Sequence, residues 1–394
     1  MNDAARAAEQ AARASYGRLL AILASRTADI AAAEDALADA FAKALSCWPQ
    51  DGIPNRPEAW LLTTARNRLT DHQRRAARLA PEDDMPEIAT QPIADFPDER
   101  LKLMFVCAHP AIDRALHTPL MLQTVLGIEA AEIARCFVVS PTAMAQRLVR
   151  AKAKIKASGI AFRVPDAPDL PGRLAAVLEA VYGVYALDWL QGGETLSDEA
   201  LYLAVLLSRL MPENPEPLGL AALIAFGQSR KTARIVDGML VPVSEQDTAL
   251  WDHDIINHAA HMLTRAEAMK GIGRFQIEAA IQAVHAHRAT TGITDWAALA
   301  QLNEALVRLY PTLGALVARA VAIGRATTPE AGLALLEGFD SEKISDFQPF
   351  HAALAHFLAQ TGQTAKARSS YETATKLCTE PEMRMWLLRQ SAQL

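Results

Sequence analysis

Apolar residues recur at helical spacing along almost the whole chain. Tyr16, Leu19, Leu20 and Leu23 form one stripe, and Ile30, Leu37, Phe41 and Leu45 form a second. A third stretch begins after Pro57 and turns Leu61, Leu62, Ala65 and Leu69 to one side. Steps of three and four residues predict helices, whereas alternating Val, Ile and Thr runs bounded by turns are hard to find. Only MLVPVS, residues 239–244, predicts a short extended piece. The pattern is that of an all-α protein. Between the second and third stripes lies WPQDGIPNRPEAW, whose prolines and glycine predict a break in the helices.

A further pair of helices is predicted in AEIARCFVVSPTAMAQRLVRAKAKI, residues 131–155. Glu132, Ile133 and Ala134 sit on the first, Phe137-Val138-Val139 make the turn, Ser140 caps the second, and Pro141 opens it. Met144, Leu148, Ala151 and Ile155 then face inward, leaving Thr142, Gln146, Arg147, Arg150 and Lys154 outward. A basic helix presented this way has the form of a helix-turn-helix reader of the DNA major groove. Thr142 and Gln146, near its start, would reach base edges, and Arg147, Arg150 and Lys154 would hold phosphates. A merely solvated basic face is the plainer alternative for this segment alone.

The third stripe carries the same chemistry. WLLTTARNRLTDHQRRAAR, residues 60–78, holds Arg66, Arg68, Arg74, Arg75 and Arg78 against the single acid Asp71. With the leucines inward, Thr63, Arg66, Asn67, Thr70 and Arg74 share the opposite face. The second stripe is the reverse: Asp29, Glu34, Asp35 and Asp39 crowd it. Such a helix repels phosphate, so a basic protein partner explains it better than DNA does.

Charge marks the boundaries. Residues 1–165 carry 21 Lys and Arg against 19 Asp and Glu, a net of +2; residues 166–394 carry 18 against 26, a net of −8. Residues 79–99 contain Glu82, Asp83, Asp84, Glu87, Asp95, Asp98 and Glu99, four prolines, and no Lys or Arg. That is linker composition, long enough to let two basic helices reach separated elements on one duplex.

The chain end shows a period. In HAALAHFLAQTGQTAKARSSYETATKLC, Leu354, Ala355, Gly362, Ala367, Tyr371 and Ala374 stand at tetratricopeptide offsets, and residues 317–336 look like a degenerate copy. An unrelated helical hairpin is the alternative.

Other chemistry is sparse. Cys47, Cys107, Cys136 and Cys378 form no CxxC pair, which argues against a disulfide framework or a thiolate zinc site. Cys107 with His109 reads as a buried thiol beside a helix-ending His-Pro. His253, His258 and His261 read as capping or core histidines rather than metal ligands. There is no glycine-rich phosphate loop, HExxH or nucleophile elbow, so an enzyme is not expected. No apolar run approaches a membrane span and the amino terminus lacks a signal core, so a cytoplasmic protein is expected.

In order, AEDALADAF, WLLTTARNRLTDHQRR and AEIARCFVVSPTAMAQRLVRAKAKI resemble regions 2 and 4 of bacterial extracytoplasmic-function sigma factors of the sigma-70 family. FVCAHPA, QRLVRAKAKI, the proline-leucine stretch at residues 165–174 and the tetratricopeptide-like end are similar to the subgroup with a long C-terminal extension. The resemblance implies a region 2 three-helix domain at residues 1–78, an acidic flexible linker at 79–96, and a region 4 helix-turn-helix domain at 97–160. A helical extension at 161–394 follows, tetratricopeptide-like from 317.

It also implies roles. Glu34, Asp35, Asp39 and Phe41 would bind the clamp helices of the largest subunit of core RNA polymerase, with the flap as a second contact. Asn55, Arg56, Trp60, Arg66, Asn67, Arg68, Arg74 and Arg75 would engage the −10 element and the melted strand, with a flipped base held by the loop at residues 50–57. Thr142, Gln146, Arg147, Arg150 and Lys154 would take the −35 element of promoter DNA. The extension would regulate, through intramolecular contact with the sigma domains or an unknown regulatory protein. No cofactor, metal or membrane is implied.

The chain departs from the family pattern in three places. Asp39 stands where Gln or Glu is common. Ala143 and Ala145 stand where Thr and Lys are common, which moves the expectation from base readout toward shape. VYGVYALDWLQGG replaces the subgroup's Asn-Glu-Gly-Tyr-like segment. Two rivals remain at this point. A stand-alone helix-turn-helix regulator leaves the acidic helix and residues 60–75 without a job, and a tetratricopeptide scaffold uses only the C-terminal half.

Overall fold

A computed structural model of the chain describes residues 3–79, 98–137, 139–166, 168–191 and 195–394. Contacts divide it into two compact units, Met1–Val184 and Tyr185–Leu394. The described residues are mostly helical, with one short two-stranded hairpin. Of the stretch read as a linker, residues 79–96, Leu79 ends a helix and residues 80–96 lie outside those described.

The first unit holds α1 (Asp3–Thr27), α2 (Ile30–Asp51), α3 (Pro57–Leu79), α4 (Glu99–Cys107), α5 (Arg114–Leu126), α6 (Ala130–Cys136), α7 (Pro141–Ala157) and most of α8 (Leu170–Gln191). Leu20, Leu23, Ile30, Leu37 and Leu61 are fully buried where α1, α2 and α3 meet. Asp29 starts α2 by accepting the Ala32 N–H at 3.1 Å.

Two sequence expectations fail here. The helix break expected from Trp48 onward begins later, because α2 continues through Pro49 to Asp51. A proline in a last turn removes only one backbone bond. Buried Trp48 anchors that turn, and Gly52, at φ 87°, donates its N–H to the Trp48 carbonyl at 3.1 Å. Leu45, placed inward by its stripe, is half exposed because Ala44 and Trp48 hold the inner positions.

The amino-terminal helices and the following segment pack together. α1 lies on α4 and α5, and α2 touches α7. Gly17 sits against the Val125 carbonyl of α5, where any Cβ would collide with backbone. Gly127 ends α5 in the left-handed region at φ 69°, its backbone against the Tyr16 ring. Every residue of α4 from Arg100 to Cys107 is buried. Its charges are satisfied locally, Arg100 by Asp98 at 2.5 Å and Lys102 by Glu99 at 2.6 Å. Cys107 is buried with its Sγ 3.6 Å from the Thr124 hydroxyl, and burial pushes its thiol up to about 12. His109 accepts the Ala111 N–H, so this pair is structural in its contacts.

The second unit continues with α9 (Thr195–Leu210), α10 (Pro215–Gln228), α11 (Lys231–Arg234), a hairpin of β1 (Ile235–Val236) and β2 (Met239–Leu240), then α12 (His253–Ala268), α13 (Arg274–Thr291), α14 (Trp296–Leu309), α15 (Leu313–Ala326), α16 (Pro329–Glu337), α17 (Ser341–Ile344), α18 (Gln348–Gln360), α19 (Thr364–Leu377) and α20 (Pro381–Ala392). α10 is buried from Pro217 to Gly227 and packs on α9, α12 and α13. The expected extended piece supplies β2, and Asp237 and Gly238, both at positive φ, turn the hairpin. The two segments with the repeat pattern form helical hairpins, α15–α16 and α18–α19, with Ala355, Ala367, Tyr371 and Ala374 buried. His253, His258 and His261 lie exposed along α12, and Asp252, not a histidine, caps it.

One buried group in this unit sets a pH dependence. His285 is held neutral by burial and by the nearby Arg230 and Arg288, its pKa pushed down to about 4 from 6.5. Below the ordinary histidine range the unfolded chain takes a proton that the folded unit refuses, so stability falls as pH drops from about 6.5 toward about 4. The shift corresponds to about 3 kcal/mol at most. In urea titrations at pH 7 and pH 4.5, His285→Gln should lose less stability between the two conditions than the native chain. Equal losses would remove His285 as a cause.

Candidate nucleic-acid and partner interface

α3 follows from its sequence: Pro57 occupies the first turn, and Leu61, Ala65 and Leu69 go to the core. That leaves Thr63, Asn67, Thr70 and Arg74 exposed on one side, and Arg68 exposed on another, toward α2. Arg66, expected with them, is instead half-buried, with its Nε enclosed and without a hydrogen-bond partner; burial and nearby Arg26 lower its pKa. Trp60 is half-buried too, its ring edge-on to Trp48 at 5.6 Å. The side chain of Arg75 lies outside the described residues. Asn55 and Arg56 are exposed in the loop after α2. Beside that loop a hollow of about 600 Å³ is lined by Arg18, Leu19, Ile22, Arg56 and Leu62, with Asn55 not among its walls.

The acidic face is built by α2 and α3 together. Asp29, Asp35, Asp39 and Asp71 line a groove of about 450 Å³, and Arg68 is the cation among the described residues of its lining. Arg68 Nε bonds Asp39 Oδ2 at 2.6 Å, joining a residue expected on DNA to one expected on a protein partner. Both side chains are more than half exposed, so the pair contributes little to stability and can re-pair with an incoming group. Phe41 is half-buried. Glu34 does not line the groove.

α6 and α7 form two helices joined by a short turn. The Ser140 hydroxyl accepts the Ala143 N–H at 3.2 Å, and Met144, Leu148, Ala151 and Ile155 are buried. Thr142, Gln146, Arg147, Arg150 and Lys154 are exposed. Arg147, Arg150 and Lys154 share a hollow of about 440 Å³ with Asp113, Ala115 and Leu116 at the start of α5.

The five basic residues from Arg147 to Lys156 therefore split. Three face solvent around the hollow, while Lys152 and Lys156 turn toward α2. Lys152 Nζ donates to Glu34 Oε2 at 2.5 Å and to Gln123 Oε1 at 3.0 Å, and Lys156 lies 2.7 Å from Asp29 Oδ2. Sequence reasoning missed this. The signal was available: Lys152 stands four residues after Leu148 and three before Ile155, on the inward stripe. Among the described residues no group of three or more His, Cys, Asp or Glu is placed to hold a metal, and no helix is long and apolar enough to cross a membrane.

Comparison with known proteins finds matches for two stretches of the chain. Residues 12–79, which comprise most of α1 with α2 and α3, match sigma-70 region 2. Residues 173–267 match a family of unknown function, DUF6596. Over 365 residues the chain is 38% identical to an uncharacterized protein, R00370, of Rhizobium meliloti (strain 1021), covering 88% of this chain and 86% of that one. No solved structure matches. The chain belongs to the same family as the Rhizobium protein, and its residues 12–79 are similar to sigma-70 region 2. That stretch carries the acidic groove and the α3 face together, and it fits a non-enzymatic role in transcription initiation.

Proposed function

We propose that the chain is a sigma factor of the extracytoplasmic-function type, which binds core RNA polymerase in the cytoplasm and directs it to promoters with −35 and −10 elements. The observation that carries this reading is the match to sigma-70 region 2 with an acidic groove, crossed by Arg68, on one side and exposed Asn67 and Arg74 along α3. Asp35 and Asp39 offer carboxylates to basic residues of the polymerase clamp. The loop after α2 and α3 take the −10 element, and Arg56 at the 600 Å³ hollow is the group best placed to meet an unstacked base. The exposed face of α7 takes the −35 element as region 4, with Arg147, Arg150 and Lys154 on phosphates and Thr142 and Gln146 toward base edges.

Pulldown of core polymerase with the full chain, followed by run-off transcription, tests the reading. Retention of core and promoter-dependent product are expected, and failure to retain core overturns it.

The C-terminal unit, with its tetratricopeptide-like hairpins, serves in this reading as the regulator. A cut between residues 159 and 165 would remove α8, whose Leu174, Val177, Leu178 and Val181 are buried and whose Arg173 donates to the Phe105 carbonyl at 3.3 Å. The informative truncation therefore falls after Gln191. Higher transcription from the truncated chain is expected for an inhibitory extension, no change would remove the regulatory role, and a loss would assign it a positive one.

A further inference from the structure

The inner edge of α7 carries chemistry that DNA binding does not use. Lys152 is a buried cation, its side chain 8% exposed, and it lies against Glu34, itself 18% exposed. Glu34 belongs to the acidic helix that the sigma reading gives to polymerase. A carboxylate covered by a lysine of its own chain is already neutralised and offers little open approach to a basic group of another protein, although one such bond does not exhaust its lone pairs. One turn further along α7, Lys156 holds Asp29, the cap of α2 and a wall of the acidic groove. Asp29, in the wall of the groove, and Glu34, beside it on α2, are thus both taken by one helix. The contact has support behind it: α1 meets α5 at the backbone approach of Gly17 to Val125, and Gln123 of α5 braces Lys152. The covering is selective. Arg147, Arg150 and Lys154 on the same helix stay exposed, so the surface that would meet DNA is open while part of the surface that would meet protein is closed.

We propose that the first unit is a closed state in which α7 masks the Glu34 and Asp29 edge of α2, and that α7 must leave α2 before a basic partner can occupy the whole acidic face. This rests on the reading of that face as the polymerase contact. Lys152 and Lys156 are the latch, and neither is needed for phosphate contact from the outer face. The device makes core binding slower and weaker than the acidic face alone would allow, and it gives a signal something to release.

The test uses the full chain in three forms: native, Lys152→Met, which keeps the stem but removes the charge, and Lys156→Glu, an exposed change that sets like charge against Asp29 without touching the core. Affinity for core polymerase is measured by anisotropy, and amide hydrogen exchange is followed across α2, with thermal unfolding confirming that each variant is folded. At least tenfold tighter core binding and faster exchange at the Asp29–Glu34 edge are expected in both variants. Native-like or weaker core affinity in a folded variant overturns the latch while leaving the sigma reading intact. If no form binds core, the sigma reading and the inference built on it both fall, and the exchange data still report whether α7 covers α2.

Discussion

Replacing Arg147, Arg150 and Lys154 together by alanine is expected to flatten the salt dependence of promoter binding and to weaken that binding on all sequences alike. Each phosphate contact releases condensed counterions, worth about 0.9 in the slope of log affinity against log salt. Three lost contacts therefore lower the slope by about 2.7. The loss should be largest at low salt, where counterion release contributes most, and should shrink as salt rises. The triple change suits the test because it leaves the fold alone. All three side chains are exposed, whereas α7 is held by Met144, Leu148, Ala151 and Ile155. Surface substitutions of this kind usually stay within about 0.5 kcal/mol of neutral. Thr142→Ala and Gln146→Ala should behave differently, changing preference among promoters more than the salt slope. The measurement is affinity of the assembled polymerase complex for promoter DNA between low and moderate salt. An unchanged slope would remove the outer face of α7 from DNA.

That face was legible in the sequence because its signals are local. Ser140 and Pro141 mark a helix start by their own backbone chemistry, and the step Met144, Leu148, Ala151, Ile155 fixes which side goes inward. The acidic crowding of α2 was readable in the same way. What could not be read depends on partners distant along the chain. Lys152 counts as one more basic residue until α2 is brought to it from more than a hundred positions away. The segment α4 is buried on every side, a state that periodicity cannot announce because there is no polar face to contrast with. The placement of α1 against α5 needs a glycine at position 17, and nothing local distinguishes that glycine from one in a flexible stretch. Pro49 misled for the opposite reason, since a strong local rule yielded to the burial of Trp48. Arg66 was misplaced because a helical wheel has two faces, whereas α3 has neighbours that draw a third side partly inward.

Replacing Phe357 by alanine should produce the largest loss of stability of any single change in the second unit. Phe357 is fully buried in α18, in a cluster with Val317, Leu333, Leu336 and Phe350. Its ring occupies the space left by two glycines on neighbouring helices, Gly324 of α15 and Gly332 of α16, and a Cβ at either would overlap the ring. The ring thus fills a slot that no nearby side chain can reach across, because both residues beside it lack one. A cavity at such a site relaxes little, so the cost should be about 3–5 kcal/mol. Gly332→Ala inserts one methyl into the same slot and should cost about 1–3 kcal/mol through overpacking. The two losses should not add. In the double variant the clash of the new methyl with the ring is gone and only its approach to the Gly324 backbone remains, so the combined cost should fall below the sum. Urea unfolding of the four forms at pH 7 measures this coupling. Additive costs would show that Gly332 and Phe357 do not share a slot, and that the α16–α18 contact is held by other residues.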